Sequence, residues 1–245
     1  MAINLAGGTI TSSTILGDGQ FIKNICPTFG LVGYWDAGIT SSWTDGSSVL
    51  YDLSGNNNNL SPYGGVATGT FGSALAWNFN AAGKFFEGSG MSNAPTKNAT
   101  IEAWIYPAAS EIVAGDMGTI FQWKGASSIY HSFDKSNAKL ANYWYGHPPE
   151  GYHESVAAMT RSAWHYTVGQ WDFSQSCVHQ WVDMTTGQVT GVQGNASAGT
   201  VIQIGREVEA RQFSGGIALI RVWNRALLAH EILNNYLVEK ARFGL

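Results

Sequence analysis

The sequence predicts an all-β fold, two antiparallel sheets packed as a sandwich, with a short C-terminal helix and an extended N-terminal arm. Three features carry this expectation. Apolar residues alternate with polar ones over short segments, and clusters of Gly, Asn and Pro separate those segments. Aromatic residues make up 13% of the chain, with 10 Trp beside 30 Gly and few runs of helical period, a composition that suits strands joined by tight turns. The last strong segment, Phe213-Ser-Gly-Gly-Ile-Ala-Leu-Ile-Arg-Val-Trp-Asn-Arg-Ala-Leu227, reads as a glycine entry, a strand over 217–223 and a turn at Asn224-Arg225. Strict alternation would turn Ile217, Leu219, Arg221 and Trp223 one way and Ala218, Ile220 and Val222 the other. A strand apolar on both faces belongs in the middle of a covered sheet. From Leu228 to about Phe243 the apolar residues Leu228, Ile232, Tyr236 and Leu237 recur at helical spacing, so a helix closes the chain.

Taken in order, residues 1–28 differ from the rest. Their first 19 residues are rich in Gly, Ser, Thr and Ile with Asp18 as the one charge, a short apolar run follows, and Pro27 breaks it. This composition is unlike that of a disordered tail and suits an arm that extends on a partner. Residues 29–245 then form one jelly-roll domain that includes helix 228–243. Strands are expected near 30–36, 49–53, 73–79, 84–88, 99–107, 117–124, 128–134, 139–145, 163–172, 177–183, 201–206 and 216–223. A spacing of roughly 10 to 20 residues is what an antiparallel jelly roll produces. Ile101, Ala103 and Ile105 alternate with Glu102, Trp104 and Tyr106, and comparable patterns run through 164–171 and 178–183. Large aromatics therefore fall on what should be a polar face, which is a sugar platform, a subunit interface or a face covered by loops or neighbours.

Three blocks resemble a known family. They are the closing segment above, Gly30-Leu-Val-Gly-Tyr-Trp-Asp-Ala-Gly38 with Tyr51-Asp-Leu-Ser-Gly-Asn-Asn-Asn-Asn59, and Ala99-Thr-Ile-Glu-Ala-Trp-Ile-Tyr-Pro107. Together, in this order, they resemble concanavalin A-like jelly rolls of the laminin-G and pentraxin type. The opening block and the final Ala-Arg-Phe-Gly-Leu look most like copies found in tailed-phage virion proteins. Some members of the family bind calcium near the loop that corresponds to 52–59, helped by acids in the closing strand. Here those closing positions are Ala218 and Leu219, which cannot ligate.

Two stretches are candidate sites. Asp52, Asn56 and Asn57 sit on a tight glycine turn and could offer oxygens to calcium, a cation that wants six to eight of them; the same residues also build turns by bonding local amides. Tyr143-Trp-Tyr-Gly-His-Pro-Pro-Glu-Gly-Tyr-His-Glu154 gathers Trp144, Tyr145, His147, Tyr152 and His153 at a strand end. Aromatic faces stack on sugars and serve equally at protein interfaces, and a plain structured loop remains open. Pro148-Pro149 between the imidazoles argues against zinc.

No catalytic residues are assigned. A glycosidase needs two carboxylates about 5 to 9 Å apart, and the near pair Glu207 and Glu209 lies beside Arg206 and Arg211 as a surface ion cluster. The net charge of −4 argues against nucleic acid. No apolar run is long enough for a membrane span and no secretory leader is visible. Cys26 and Cys177 are expected as free thiols in a reducing compartment rather than as a disulfide. Charged residues are only 12%, about half the ordinary share, which fits either a carbohydrate-type β-sandwich with a polar, uncharged surface or a surface buried in a permanent assembly. The expectation is a non-enzymatic virion protein assembled in the host cytoplasm. It would be a capsid decoration or cement protein, anchored by its arm to the major capsid protein and to copies of itself. The alternative is a fibre or tail-associated adhesin that binds host glycan.

Overall fold

The computed structural model describes residues 3–5, 8–10, 26–112, 114–124, 128–144, 151–192, 201–207 and 211–245, with the backbone alone at 3–5, 8–10, 144, 151 and 152. In chain order the strands are β1 (Ile3–Leu5), β2 (Gly8–Ile10), β3 (Leu31–Asp36), β4 (Ser61–Tyr63), β5 (Thr68–Phe71) and β6 (Ala74–Asn78). Then come β7 (Phe85–Ser89), β8 (Ala99–Pro107), β9 (Met117–Lys124), β10 (Ile129–Asp134), β11 (Lys139–Trp144) and β12 (Gly151–Ala158). The last are β13 (His165–Asp172), β14 (Cys177–Val182), β15 (Thr185–Thr190), β16 (Val201–Ile204) and β17 (Gly215–Trp223), before helix α1 (Ala229–Glu239) and a 3-10 turn Lys240–Phe243. One sheet has seven strands in the order β12-β11-β10-β9-β16-β7-β4, and the other eight in the order β15-β14-β13-β8-β17-β6-β5, with β3 also on β17. All ladders are antiparallel, so the jelly-roll sandwich expected from the sequence is the fold.

The segment expected as a strand at 49–53 is a correction. Its backbone is used by loops: Leu50 bridges Leu60, Tyr51 N–H donates to the Ser42 carbonyl and Leu53 N–H to the Tyr34 carbonyl. Apolar side chains at Val49 and Leu50 imitate a strand, but no ladder forms around them. β4, β5, β12 and β15 were not expected. They lie at sheet margins and carry Pro62, Gly69, Gly151 and Gly187, residues that read as turn chemistry in isolation.

Two apolar layers hold the fold. Between the sheets, Trp35, Trp77, Phe86, Phe121, Trp123 and Trp171 form the main core with Ile217, Ile220 and Val222 of β17. On the far side of the eight-stranded sheet, α1 and the 3-10 turn cover Trp104, Trp164, Tyr166, Trp181, Leu219 and Trp223. Trp104 stacks on Phe243 at 4.0 Å and on Tyr236 at 5.8 Å. The aromatic face therefore serves neither as a sugar platform nor as an open interface, because the chain's own C-terminal segment occupies it. β17 departs from strict alternation as well. A register shift between Ile217 and Leu219 turns Ile217 toward the main core while Leu219, Arg221 and Trp223 face the helix.

A buried ion network fastens the helix. Arg221 donates to Glu102 at 2.6 Å and to Glu239 of α1, all three groups almost fully buried. Glu102 also accepts from Tyr166 Oη at 2.5 Å and Asn235 Nδ2 at 3.0 Å. Burial, with Glu102 nearby, pushes the Glu239 carboxyl up to about 6. At the end of α1, Arg242 grips Asp36 with two bonds of 2.7 Å. At its start, Glu231 accepts the Leu228 N–H at 2.8 Å and is held by Arg225.

Both cysteines are free and buried. Burial pushes the Cys26 thiol up to about 12, and Cys177 Sγ lies 3.0 Å from His179 Nε2. Trp223 is wholly buried, and its indole N–H donates to the Pro27 carbonyl at 2.7 Å, which fastens the segment before β3 to the closing strand. Trp223→Ala is expected to cost about 3–5 kcal/mol, the range for deleting a buried large aromatic; equilibrium denaturation measures it, and a midpoint near wild type would show that Trp223 is not part of the core.

Candidate functional site

The outer face of the seven-stranded sheet carries one transverse row of side chains. Phe86, Trp123, Ile129 and Ile202 point into the core, so the residues alternating with them point outward. Ser61, Glu87, Gln203, Gln122, Tyr130 and Tyr143 face one another in successive register pairs across six strands, and the Tyr152 backbone continues the row on the seventh. At the usual strand spacing the row is about 29 Å long.

Its chemistry divides in two. On one side, Gln122 Nε2 donates to Gln203 Oε1, and Gln203 Nε2 donates to Glu87 Oε2 at 2.6 Å, so two amides are aligned toward one carboxylate. Gln122 Oε1 is buried and has no hydrogen-bond partner among the described residues. On the other side, the Tyr130 and Tyr143 rings lie 5.6 Å apart at a tilt of 57°. Burial, with the Glu207 carboxylate as a further cause, pushes the Tyr130 hydroxyl up to about 12, so it stays a neutral donor and acceptor. The centre of the row is buried and its ends are open: Gln122 and Gln203 lie deep, Glu87 and Tyr143 are half-buried, Ser61 is exposed. Arg206 and Glu207 flank it. Arg206 sits 3.7 Å over the Phe85 ring, Phe85 stacks on Tyr63 at 4.6 Å, and Glu207 pairs with Arg211 at 2.8 Å.

Of the residues expected to bind a ligand, Tyr145, His147 and the side chains of Trp144 and Tyr152 lie outside the described residues. The Tyr152 backbone belongs to the row. His153 does not: alternation turns its ring to the inner face, where burial lowers its pKa and Nε2 has no partner. Glu87, Gln122, Gln203 and Tyr130 were missed. Each reads as one polar residue in an ordinary alternating strand, and only strand register assembles them.

The Asp52 loop is built as a structural turn. Asp52 Oδ1 accepts the N–H groups of Tyr34 at 2.9 Å and Ser54 at 2.8 Å, and Oδ2 accepts Ser54 Oγ at 2.7 Å and Asn58 N–H at 3.0 Å. Asn56 Nδ2 donates to the Leu31 carbonyl at 3.0 Å and Asn56 Oδ1 accepts from Asn93 at 2.6 Å, while Asn57 takes a left-handed φ of 59°. N–H and O–H donors occupy both carboxylate oxygens, so this donor set does not fit a calcium ion. No group of three His, Cys, Asp or Glu among the described residues could hold a metal.

A family model, described as the concanavalin A-like lectin/glucanases superfamily, matches residues 80–233. The chain belongs to that superfamily. Solved structures agree in fold. The receptor binding domain of botulinum neurotoxin D superposes with a TM-score of 0.64 at 12% identity, covering 87% of this chain and 53% of that one. Trypanosoma rangeli sialidase with the inhibitor DANA gives 0.60 at 16% identity, covering 90% and 34%. Domain 4 of AbnA, a GH43 extracellular arabinanase from Geobacillus stearothermophilus, in complex with arabinotriose, gives 0.55 at 15% identity, covering 84% and 97%. The chain thus spans about a third of the sialidase and about half of the neurotoxin structure. No curated protein matches the sequence significantly.

Asp52→Ala removes an anchor of β3 and is expected to lower stability by about 2 kcal/mol, the scale of hydrogen bonds lost from a charged acceptor. Thermal unfolding should give the same deficit in calcium and in EDTA; a deficit confined to calcium buffer would mean that the loop holds the ion.

Proposed function

We propose that this chain is a non-enzymatic binding module of a phage particle that takes host-surface glycan along the outer row of its seven-stranded sheet. The row itself carries the reading. Tyrosine faces, aligned amides, one carboxylate and an unpartnered amide oxygen form a strip of hydroxyl-matching chemistry about 29 Å long. Aromatic rings stack on the apolar faces of sugars, while Gln and Glu exchange hydrogen bonds with their hydroxyls. Catalysis is not part of the proposal. The commonest form of glycoside hydrolysis uses a second carboxylate across from the first, whereas the row contains Glu87 alone, Glu102 is locked to Arg221 beneath the helix, and Glu207 is paired with Arg211. The arabinotriose complex of the arabinanase domain and the receptor-binding role named for the toxin domain are compatible with a binding role.

Glycan-array binding and its loss in Tyr130→Ala and Gln203→Ala test the proposal. Each variant is expected to weaken binding at least tenfold, the scale of one lost stacking or charge-assisted contact. No binding by the wild type would refute it, and so would full binding by both variants.

Capsid decoration is the second reading, favoured by one observation. β1 and β2 pair with each other and with no strand of the sandwich sheets, as an anchor outside the domain would. Residues 1–2, 6–7 and 11–25 of the expected arm lie outside the described residues. The partners would be the major capsid protein and further copies of this chain. Deleting residues 1–28 is expected to leave a folded sandwich that no longer joins particles, read by circular dichroism and by co-sedimentation; normal occupancy of particles by the truncated chain would remove the tether.

A further inference from the structure

Behind the tyrosine end of the outer row lies a second row, on the inner face of the same strands. His131, Asn142 and His153 are register partners on β10, β11 and β12. Across the sandwich, Gly169, Gln180 and Gly187 are register partners on β13, β14 and β15. The fit is tight. A Cβ on Gly169 would come within 2.5 Å of Asn142 Oδ1 and 2.9 Å of His131 Nδ1, and one on Gly187 within 2.9 Å of a Val156 methyl. Between these rows the margin of the sandwich is closed by polar side chains rather than by oil.

A neutral imidazole fits these hydrogen bonds. Thr167 Oγ1 donates to the Ala103 carbonyl at 3.1 Å, so its contact with His131 Nε2 at 3.0 Å requires Nε2–H to donate. In a neutral ring, which burial favours, His131 Nδ1, 2.8 Å from the Asn142 amide, then accepts. Asn142 Nδ2 has no other partner, and rotating its amide by half a turn supplies that donor. His153 has an unpartnered, buried Nε2, and Gln180 donates to the His153 carbonyl rather than to its ring. Among the described residues no charged group hydrogen-bonds either ring. Thr167 and Asn142 face His131, and Asn142 and Gln180 adjoin His153. The nearby charges Asp134, Lys139 and Glu154 sit at alternate positions that point to the other face.

We propose that this inner row makes the β12 margin acid-labile, so that acid unfastens β12 and with it the Tyr143–Tyr152 end of the outer row. A second proton on either ring would place a cation against amides and a hydroxyl with no carboxylate among the described residues to receive it. β12 is the strand that can yield. It lies at the sheet edge, its ladder with β11 is interrupted by a register shift between Lys139 and Ala141, and Val156 is 69% exposed. Burial holds His131 at about 4 instead of 6.5 and moves His153 in the same direction. The folded state therefore favours the neutral rings. Closure is complete above about pH 6.5 and drains away as the pH falls toward 4. The unfastening stands on the inner row alone; its effect on ligand rests on the glycan-binding reading.

Hydrogen exchange of the full chain, corrected for intrinsic rate and read at pH 7.5 and 4.5, tests the idea. Protection of 151–158 is expected to fall at least tenfold while 215–223 keeps its own, and His153→Gln is expected to remove most of that fall. An equal fall in both segments, or an unchanged fall in His153→Gln, would overturn the proposal. Should the variant not fold, imidazole NMR of the wild type decides instead. Both rings are expected to titrate below the ordinary imidazole value and only as 151–158 opens; titration with no change in that segment would overturn it. A glycan array is read at both pH values. Binding at pH 7.5 that is lost at 4.5 supports the coupling, retained binding at both refutes it, and absence of binding at both strikes the glycan reading while leaving the exchange result to judge the acid-labile margin.

Discussion

One guanidinium decides which faces of this protein are available. Arg221 lies at the centre of the eight-stranded sheet, sealed from water, with Glu102 beside it on β8 and Glu239 above it on α1. Desolvating three charges costs far more than an exposed pair could return, so the arrangement persists only because every member is held by others. Glu102 is fixed by Tyr166 and Asn235, and the Arg221 guanidinium lies 4.5 Å over the Tyr34 ring. The network forces α1 onto the sheet in one register. In doing so it spends the richest aromatic surface of the chain, from Trp104 to Trp223, on internal packing. On the opposite face of the sandwich, tyrosines and amides stand where tryptophans stand here.

How much of this was legible depends on whether the information was local. β8, β9, β10, β13, β14 and β17 stand out in the sequence because β-branched and aromatic residues alternate there over six to nine positions. β12 and β15 do not, because edge strands meet water and each other, and Gly, Ser, Thr and Gln serve there as well as Val. The reading of β17 failed at Ile217 for a reason alternation cannot contain: one bulge reverses the face. The outer row was hidden for the same kind of reason. Its members stand at positions 61, 87, 122, 130, 143 and 203, and only the jelly-roll crossover brings them into line. The aromatic loop after Tyr143 drew attention by composition, which is visible along the chain, whereas register is not. Asp52 is the opposite case. Its sequence context fits a cation loop and an Asx turn equally well, and the four donors around it select the turn.

The two sides of β10, β11 and β12 illustrate how a thin sheet separates environments. Tyr130 and Tyr143 look outward, while His131, Asn142 and His153 look inward from the same three strands. A polar residue within a sandwich must find partners or remain a liability. Here Thr167 of the facing sheet and Asn142 of the same sheet meet His131, His153 Nε2 meets none among the described residues, and the bare glycine at 169 makes room for the layer. Substituting that glycine would press a methyl group against it.

The bond from Trp223 to Pro27 has a mechanical consequence. β3 follows Pro27 within a few residues and runs antiparallel to β17 along its length. A pull arriving through residue 26 therefore reaches the Trp223 indole bond before the β3–β17 ladder, whose first pair is Leu31 with Trp223. That indole is wholly buried among the residues under the helix, so the entry of the chain and its closing strand are fastened to each other at one place.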